Sequence, residues 1–306
     1  MKPKKLALII ATWPSYELFC PNFTGMQDGL RELGIPFKVF SCRPDFNAQE
    51  VIDYAPDFVL YGLPDMGLNP QWHRAVRDGL PKAKIVMWYG DWRGNLEKVL
   101  DLSGVDYMFA SNNVLDGFYE RMWKVAKVGY LPLGASIKSP KVEKKYEFPV
   151  VFIGGMSTQG IFAHRALKIR EIEEAGVGLT ILNGNAKLEP ELRAKISQEM
   201  PSIYRSAKIT LDMSQFTSIK GYTSNRHWII PACGGFSISE RYPQCEEFYP
   251  EGTRIYFDTI DECIAKIEYY TAHPDEREKI RLAGMEQAKL HTYDKRFTEM
   301  FKQVYE

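Results

Sequence analysis

At 306 residues the chain exceeds the size at which a single hydrophobic core usually stops growing, so two domains of roughly 150 residues each are expected. Its 39 basic residues balance 39 acidic ones, which leaves no global field to draw in nucleic acid or an anionic membrane, and no stretch approaches the roughly 18 apolar residues of a membrane span. Five cysteines, Cys20, Cys42, Cys233, Cys245 and Cys263, are scattered without Cys-x-x-Cys or zinc-finger spacing and read as reduced thiols of a cytoplasmic protein.

The opening Met1-Lys2-Pro3-Lys4-Lys5 followed by Leu6–Ile10 imitates a secretory leader. Its apolar run is short, however, and stops at Trp13-Pro14 without a small-residue cleavage site, so a buried first strand is expected over Leu6–Thr12. Short apolar runs then alternate with helix-period segments, the pattern of βα units around parallel sheets covered on both faces. The first series places strands at Phe37–Ser41, Phe58–Tyr61, Ile85–Tyr89, Tyr107–Ala110 and Val128–Leu131, with helices such as Gly25–Leu33 and Leu115–Lys124 between them. The charged, Pro-containing stretch Lys138–Lys145 reads as a linker, giving an N-terminal domain over 1–140 and a C-terminal domain over 146–306. The second series predicts strands at Val150–Ile153, Leu179–Leu182, Ile209–Met213, Phe236–Ser239 and Ile255–Phe257, helices at Ala163–Glu174 and Glu189–Gln198, and three amphipathic helices at the end. The expected fold class is therefore α/β, with two Rossmann-like domains and C-terminal helices.

Ligands of such sheets sit at the carboxyl ends of the strands. Gly154-Gly155-Met156-Ser157-Thr158 follows one strand, and its missing side chains admit a phosphate to backbone N–H groups near a helix start. An ordinary tight turn stays open as the alternative, since neither a Walker loop nor a complete Gly-x-Gly-x-x-Gly spacing is present. Arg165 on the following helix offers a second cation, and Asn183 follows the strand Leu179–Leu182. Further on, Gly221-Tyr222-Thr223-Ser224-Asn225-Arg226 precedes the apolar segment Ile229–Cys233, and Gly234-Gly235-Phe236 leads to Ser239-Glu240-Arg241. The polar residues before Ile229 are candidate helix caps, and the forked donors of Arg226 suit a diphosphate. Gly234 and Gly235 also fit routine punctuation between a helix and a strand.

The stretch Thr223–Arg296 resembles the donor-binding end of GT-B glycosyltransferases of the spore maturation (CgeB-like) group and of the glycosyl transferases group 1 type. The resemblance rests on Asn225-Arg226 before a helix, Ala232-Cys233-Gly234-Gly235-Phe236, Ser239-Glu240-Arg241, Cys245-Glu246-Glu247-Phe248, His273-Pro274-Asp275-Glu276-Arg277 and His291-Thr292-Tyr293-Asp294-Lys295-Arg296. It covers the last quarter of the chain closely, and the first half agrees only in pattern. The resemblance implies two facing domains, with a nucleoside diphosphate sugar, a UDP-sugar first, held by the second and the acceptor entering over the first. Its donor site would comprise Gly154, Gly155, Arg165, Asn183, Tyr222, Thr223, Ser224, Arg226, Gly235, Ser239 and Glu240. One departure is Ile229, at a position where many relatives carry the glutamate expected to hold the ribose; Glu240 is the candidate replacement. The sequence has no Asp-x-Asp motif, which is consistent with metal-independent chemistry, and no further cofactor is expected.

In the first domain, Asp91 in Trp88-Tyr89-Gly90-Asp91-Trp92-Arg93 follows a strong strand and is the candidate general base, with a helix N-cap as the plain alternative; Asp65 is a second candidate. Five of the six tryptophans lie in this domain, and Trp13 and Trp92 are the candidate acceptor wall, with packing of sheet against helix as the plainer reading for any one of them. His291 is expected in a packed turn before the last helix. The leading reading is a metal-independent hexosyltransferase acting on a carbohydrate, small-molecule or protein hydroxyl. A second takes a hydroxymethylated base in DNA as acceptor, as phage enzymes of this general fold do; with 16 basic and 15 acidic residues, positions 1–140 lack the basic excess that DNA binding favours. A third is a noncatalytic sugar-nucleotide binder or an epimerase, motivated by Ile229.

Overall fold

In the computed structural model the described residues are 1–10, 21–42, 46–63, 70–90, 101–112, 118–136, 142–159, 163–182 and 190–306. They form two compact units. The first contains β1 (Leu6–Ile10), α1 (Pro21–Glu32), β2 (Phe37–Ser41), α2 (Ala48–Tyr54), β3 (Phe58–Gly62), α3 (Pro70–Gly79), β4 (Lys84–Tyr89), β5 (Tyr107–Ala110), α4 (Phe118–Trp123) and β6 (Val128–Tyr130). All six strands are parallel, in the order β2-β1-β3-β4-β5-β6. Continuous apolar runs explain the central strands: Leu-Ala-Leu-Ile-Ile of β1 is buried along its whole length, as a strand covered on both faces requires. Alternate residues serve the two faces. Ala7, Ile9, Val59, Tyr61, Ile85 and Met87 share one core with Val51, Val76, Tyr119 and Trp123.

The opposite face of this sheet is covered in part by the end of the chain. Helix α11 (Tyr293–Tyr305) sets Phe301 against Phe58 at 5.3 Å between ring centroids, and Tyr293 and Phe297 against Trp88 at 5.7 and 6.0 Å. The sequence reading placed residues 146–306 together. Tyr293–Glu306 belong instead to the first unit, because the apolar stripe of α11 finds its partner on β3 and β4.

The second unit, Gly134–Thr292 at its core, contains β7 (Val150–Ile153), α5 (Ala163–Glu174), β8 (Leu179–Leu182), α6 (Pro190–Ser206), β9 (Ile209–Asp212), α7 (Arg226–Ala232), β10 (Ser237–Glu240), α8 (Cys245–Phe248), β11 (Ile255–Phe257), α9 (Ile260–Ala272) and α10 (Pro274–Ala288). Its five parallel strands run β11-β10-β9-β7-β8. Val150, Phe152, Ile209 and Leu211 pack with Ala166, Ile169 and Ile172 of α5 and with Cys263 and Ile267 of α9; Val151 and Ile153 pack on the other face with Tyr204 of α6 and Ile229 and Ile230 of α7. Local signals set the helix ends where they can be seen: the Thr259 hydroxyl accepts from the Glu262 N–H to start α9, and Pro274 opens α10, where its missing N–H costs nothing. Among the described residues no helix is long and apolar enough to cross a membrane.

Candidate functional site

Both sheets place their first strand beside their third, so each has a point where the strand order reverses, the place where ligands of open α/β sheets bind. In the second unit that point lies between β7 and β9. Arg226, the first residue of α7, spans it: one guanidinium nitrogen, Nη1, donates to the carbonyl of Ile153 at the end of β7 (3.1 Å), and Nη2 donates to the carbonyl of Met213 just beyond β9 (2.7 Å). The guanidinium also lies over the Phe152 ring, 5.1 Å from its centroid, and Arg165 of α5 approaches the same ring at 5.7 Å while donating to the Gly155 carbonyl at 2.7 Å. Two cations therefore converge beside the Gly154-Gly155 loop.

Beneath Arg226, at the last position of β9, Asp212 is buried and forms a hub. Its Oδ1 accepts from the Ser224 hydroxyl (3.2 Å), and its Oδ2 from His227 Nδ1 (2.9 Å), Arg254 Nη1 (2.8 Å) and the Ser239 hydroxyl (3.2 Å). His227 Nε2 stands 2.7 Å from the Tyr242 hydroxyl. Burial raises the Asp212 pKa, but the His227 hydrogen bond and the charges of Arg254 and Arg226 outweigh it and hold the carboxyl well below the usual range. Burial, reinforced by Arg254, lowers His227 to about 3, so the imidazole is neutral at physiological pH. Asp212 can only accept, which favours the imidazole proton on Nδ1 and leaves Nε2 to accept from Tyr242, although Arg254 Nη1, a donor only, also contacts Nδ1.

Among the described residues the charges do not cancel. Asp212 is matched by Arg254, which adds a hydrogen bond to the His227 carbonyl (2.6 Å), and the nearly buried Glu240 is paired with Lys168 of α5. Arg226 Nε lies 3.9 Å from Asp212, too far for a hydrogen bond, and it has no hydrogen-bond partner among the described residues. Among the described residues, a buried guanidinium satisfied mainly by carbonyls and 3.9 Å from a carboxylate already paired with Arg254 leaves one positive charge in excess, and an anion at the switch point would neutralise it.

The structure gathers most of the donor-site candidates but gives several of them work within the protein. Ser224 and Ser239 bond to Asp212, Thr223 Oγ1 accepts from Trp228 Nε1 (2.9 Å), and Tyr222 is buried against Phe216. A side chain on Gly235 would strike the Tyr204 carbonyl at 2.8 Å, so this glycine allows close packing of the α7 end, whereas among the described residues a Cβ on Gly155 would meet Arg165 Nη2 alone, at 3.7 Å. The expected side-chain capping of α7 is not found: Asn225 at the N-cap is helical in conformation and makes no side-chain cap bond, and the first-turn N–H groups of His227 and Trp228 are taken by the carbonyls of Ser224 and Asn225. Ile229 packs in the apolar cluster with Tyr204 and Val151. Trp13, Asp65, Asp91, Trp92 and Asn183 lie outside the described residues. Of the other tryptophans, Trp88 and Trp123 are fully buried in the first unit, and Trp72 is partly buried against Phe46. His291 sits in the turn between α10 and α11, 2.8 Å from the Phe248 carbonyl, as expected.

Asp212, His227, Tyr242 and Arg254 were not identified from sequence. They are up to 42 positions apart, and only the end-of-strand position of Asp212 offered a signal.

Residues 167–302 match a family model described as glycosyl transferase-like. Among curated proteins no relative matches. Solved structures match over the whole chain. An alpha-glucosyltransferase in complex with UDP and a 13-mer DNA containing an HMU base is 13% identical over 100% of both chains, with a TM-score of 0.69. The BGT of phage T4 in complex with its UDP-glucose substrate is 13% identical over 98% of this chain and 99% of that one, with a TM-score of 0.62. Sucrose-phosphate synthase from Thermosynechococcus elongatus is 10% identical over 99% of each, with a TM-score of 0.54. The chain has the fold of the GT-B glycosyltransferases. At these identities the likeness carries the fold, and the glycosyl transferase-like match lies in the second unit and α11, around Arg226.

Proposed function

We propose that this chain is a glycosyltransferase that moves a sugar, a hexose in the first instance, from a nucleoside diphosphate sugar to a hydroxyl acceptor. The observation that carries the reading is the excess guanidinium charge of Arg226 at the β7/β9 switch point, beside the glycine loop and inside the region that matches the glycosyl transferase-like model. Breaking the glycosidic bond leaves growing negative charge on the departing diphosphate. A cation already fixed beside the Gly154-Gly155 backbone stabilises that charge without reorganising, in the role a metal ion would otherwise fill. Arg165 adds a second positive charge, and Glu240, at the end of β10, is the proposed contact to the ribose. UDP is the first nucleotide to test, since neighbours of this fold hold UDP or UDP-glucose. In the first domain Asp91 is the proposed base for the acceptor hydroxyl, with Asp65 as its alternate and Trp13 and Trp92 as the acceptor wall. Among the described residues the four free cysteines are buried, which suits a reducing cytoplasm.

The test is a thermal-shift screen against nucleoside diphosphates and their sugars, followed by a labelled-sugar search for the acceptor. A ligand at 100 times its Kd adds about 2.7 kcal/mol of stability, a readily seen shift. Selective stabilisation by one donor supports the reading; silence across a concentrated panel rejects it. Activity that survives Asp91→Asn would remove Asp91 from the mechanism.

A DNA acceptor is the second reading, favoured by the full-length fold match to the alpha-glucosyltransferase seen with DNA. The near-neutral charge of residues 1–140 argues against it. Salt-sensitive retention of a duplex carrying hydroxymethylated bases would support it, and transfer only to small acceptors would not.

A further inference from the structure

Arg226 is gripped from both sides by one carboxylate. Ser224, two residues before it, donates its hydroxyl to Asp212 Oδ1, and His227, the residue after it, donates Nδ1–H to Asp212 Oδ2. The same two strips of chain are tied twice more: the Ser224 N–H donates to the Ser214 hydroxyl (3.0 Å), and Arg226 itself donates to the Met213 carbonyl. Four bonds thus zip residues 212–214 to residues 224–227. His227 is held in turn by the Tyr242 hydroxyl, just beyond β10, so the first turn of α7 is referenced to both β9 and β10.

Both carboxylate oxygens of Asp212 and both ring nitrogens of His227 are engaged within the protein. A buried network whose members are bonded to one another fixes geometry more than it supplies binding energy. Arg226, by contrast, has a flexible stem, and its guanidinium must lie within a few tenths of an ångström of its place to serve a diphosphate.

We propose that Asp212, His227 and Tyr242 form a positioning network that sets the place of the Arg226 guanidinium and so determines affinity for a nucleoside diphosphate. The inference rests on the nucleotide-sugar reading above. Asp212, His227 and Tyr242 are positioning residues, acting on the ligand only through Arg226.

The decisive experiment compares UDP binding by calorimetry at 25 °C, with the unliganded Tm recorded alongside, in the full-length protein and three variants. His227→Asn keeps an N–H donor near the place of Nδ1, His227→Leu removes it, and Tyr242→Phe removes a single oxygen. Loss of a hydrogen bond to a charged group corresponds to about 10- to 100-fold, so His227→Leu is expected to weaken UDP binding by that factor and His227→Asn to stay within about threefold of the parent. Tyr242→Phe is expected to fall between them. A purely structural role would lower the unliganded Tm of His227→Leu and leave its UDP Kd unchanged, and that result overturns the inference. Should His227→Leu fail to fold, Tyr242→Phe decides: parent-like UDP affinity overturns the inference, and weakened affinity supports it. Failure of the parent protein to bind UDP or any other nucleoside diphosphate would instead reject the nucleotide reading itself, and this inference with it.

Discussion

Gly154 makes room for Arg226. A Cβ on Gly154 would stand 2.9 Å from Arg226 Nη1 and 2.8 Å from the tip of the Phe152 ring, closer than such atoms approach in proteins. The glycine therefore serves the arginine as much as the turn. Gly154→Ala is expected to push the guanidinium off the Ile153 carbonyl, at an overpacking cost of about 1–3 kcal/mol, and to weaken nucleotide binding. Urea unfolding together with UDP titration checks both, and an unaffected UDP Kd would separate the loop from the anion site.

Arg226→Ala removes the excess charge, but it also strips donors from the Ile153 and Met213 carbonyls. From sequence alone the substitution should leave the fold intact and abolish turnover. The buried geometry adds a stability loss of about 2–4 kcal/mol, roughly the cost of leaving two buried acceptors unpaired. Arg226→Lys should recover part of that loss at most, because a single ammonium cannot reproduce the fork. Denaturation midpoints of the two variants test the order.

Acid should destabilise the protein well above the usual carboxylate range. Burial lowers His73 of α3 to about 4, and His227 is held at about 3 by burial and Arg254, with Asp212 opposing and the Tyr242 hydroxyl and nearby His291 also facing it. Both histidines take up a proton more readily when unfolded, where the ordinary value is near 6.5. Stability is therefore complete above about pH 6.5 and falls as pH drops toward 4, by up to about 1.4 kcal/mol per pH unit for each histidine. The depressed Asp212 carboxyl adds a loss in the same direction at lower pH. Unfolding free energy measured from pH 7.5 to 4.5 should show this slope, and His227→Asn should reduce it.

Helix α11 belongs with the first sheet, so damage to it should appear there. Phe297→Ala opens a cavity between Trp88 and Phe301 and is expected to cost about 3–5 kcal/mol. Removal of residues 293–306 should uncover Phe58 and Trp88 and red-shift tryptophan emission. Unchanged emission after truncation would place the packing of α11 elsewhere.

Much of this protein is written locally. The all-apolar runs Leu6–Ile10, Ile85–Tyr89 and Val150–Ile153 can satisfy their backbones and hide their side chains only as buried parallel strands, so the α/β class and the strand positions follow from sequence. The same rule, that ligands meet the ends of strands, leads to Gly154 and Arg226. Helix α11 shows the limit. Its amphipathic pattern specifies a buried face but names no partner, and chain order suggested the second domain where packing chose the first.

The site divides in the same way. Residue type and position marked Arg226 as a cation near a helix start, but its inward turn depends on carbonyls of Ile153 and Met213 that no sequence pattern encodes. Asp212 reads as an ordinary strand terminus until the fold brings Ser224, His227, Ser239 and Arg254 onto its two oxygens. Sequence determined which segments must be buried, because burial is a property of the segment. Tertiary structure decided which charges are matched, because a balance of charge exists only between residues brought together in space.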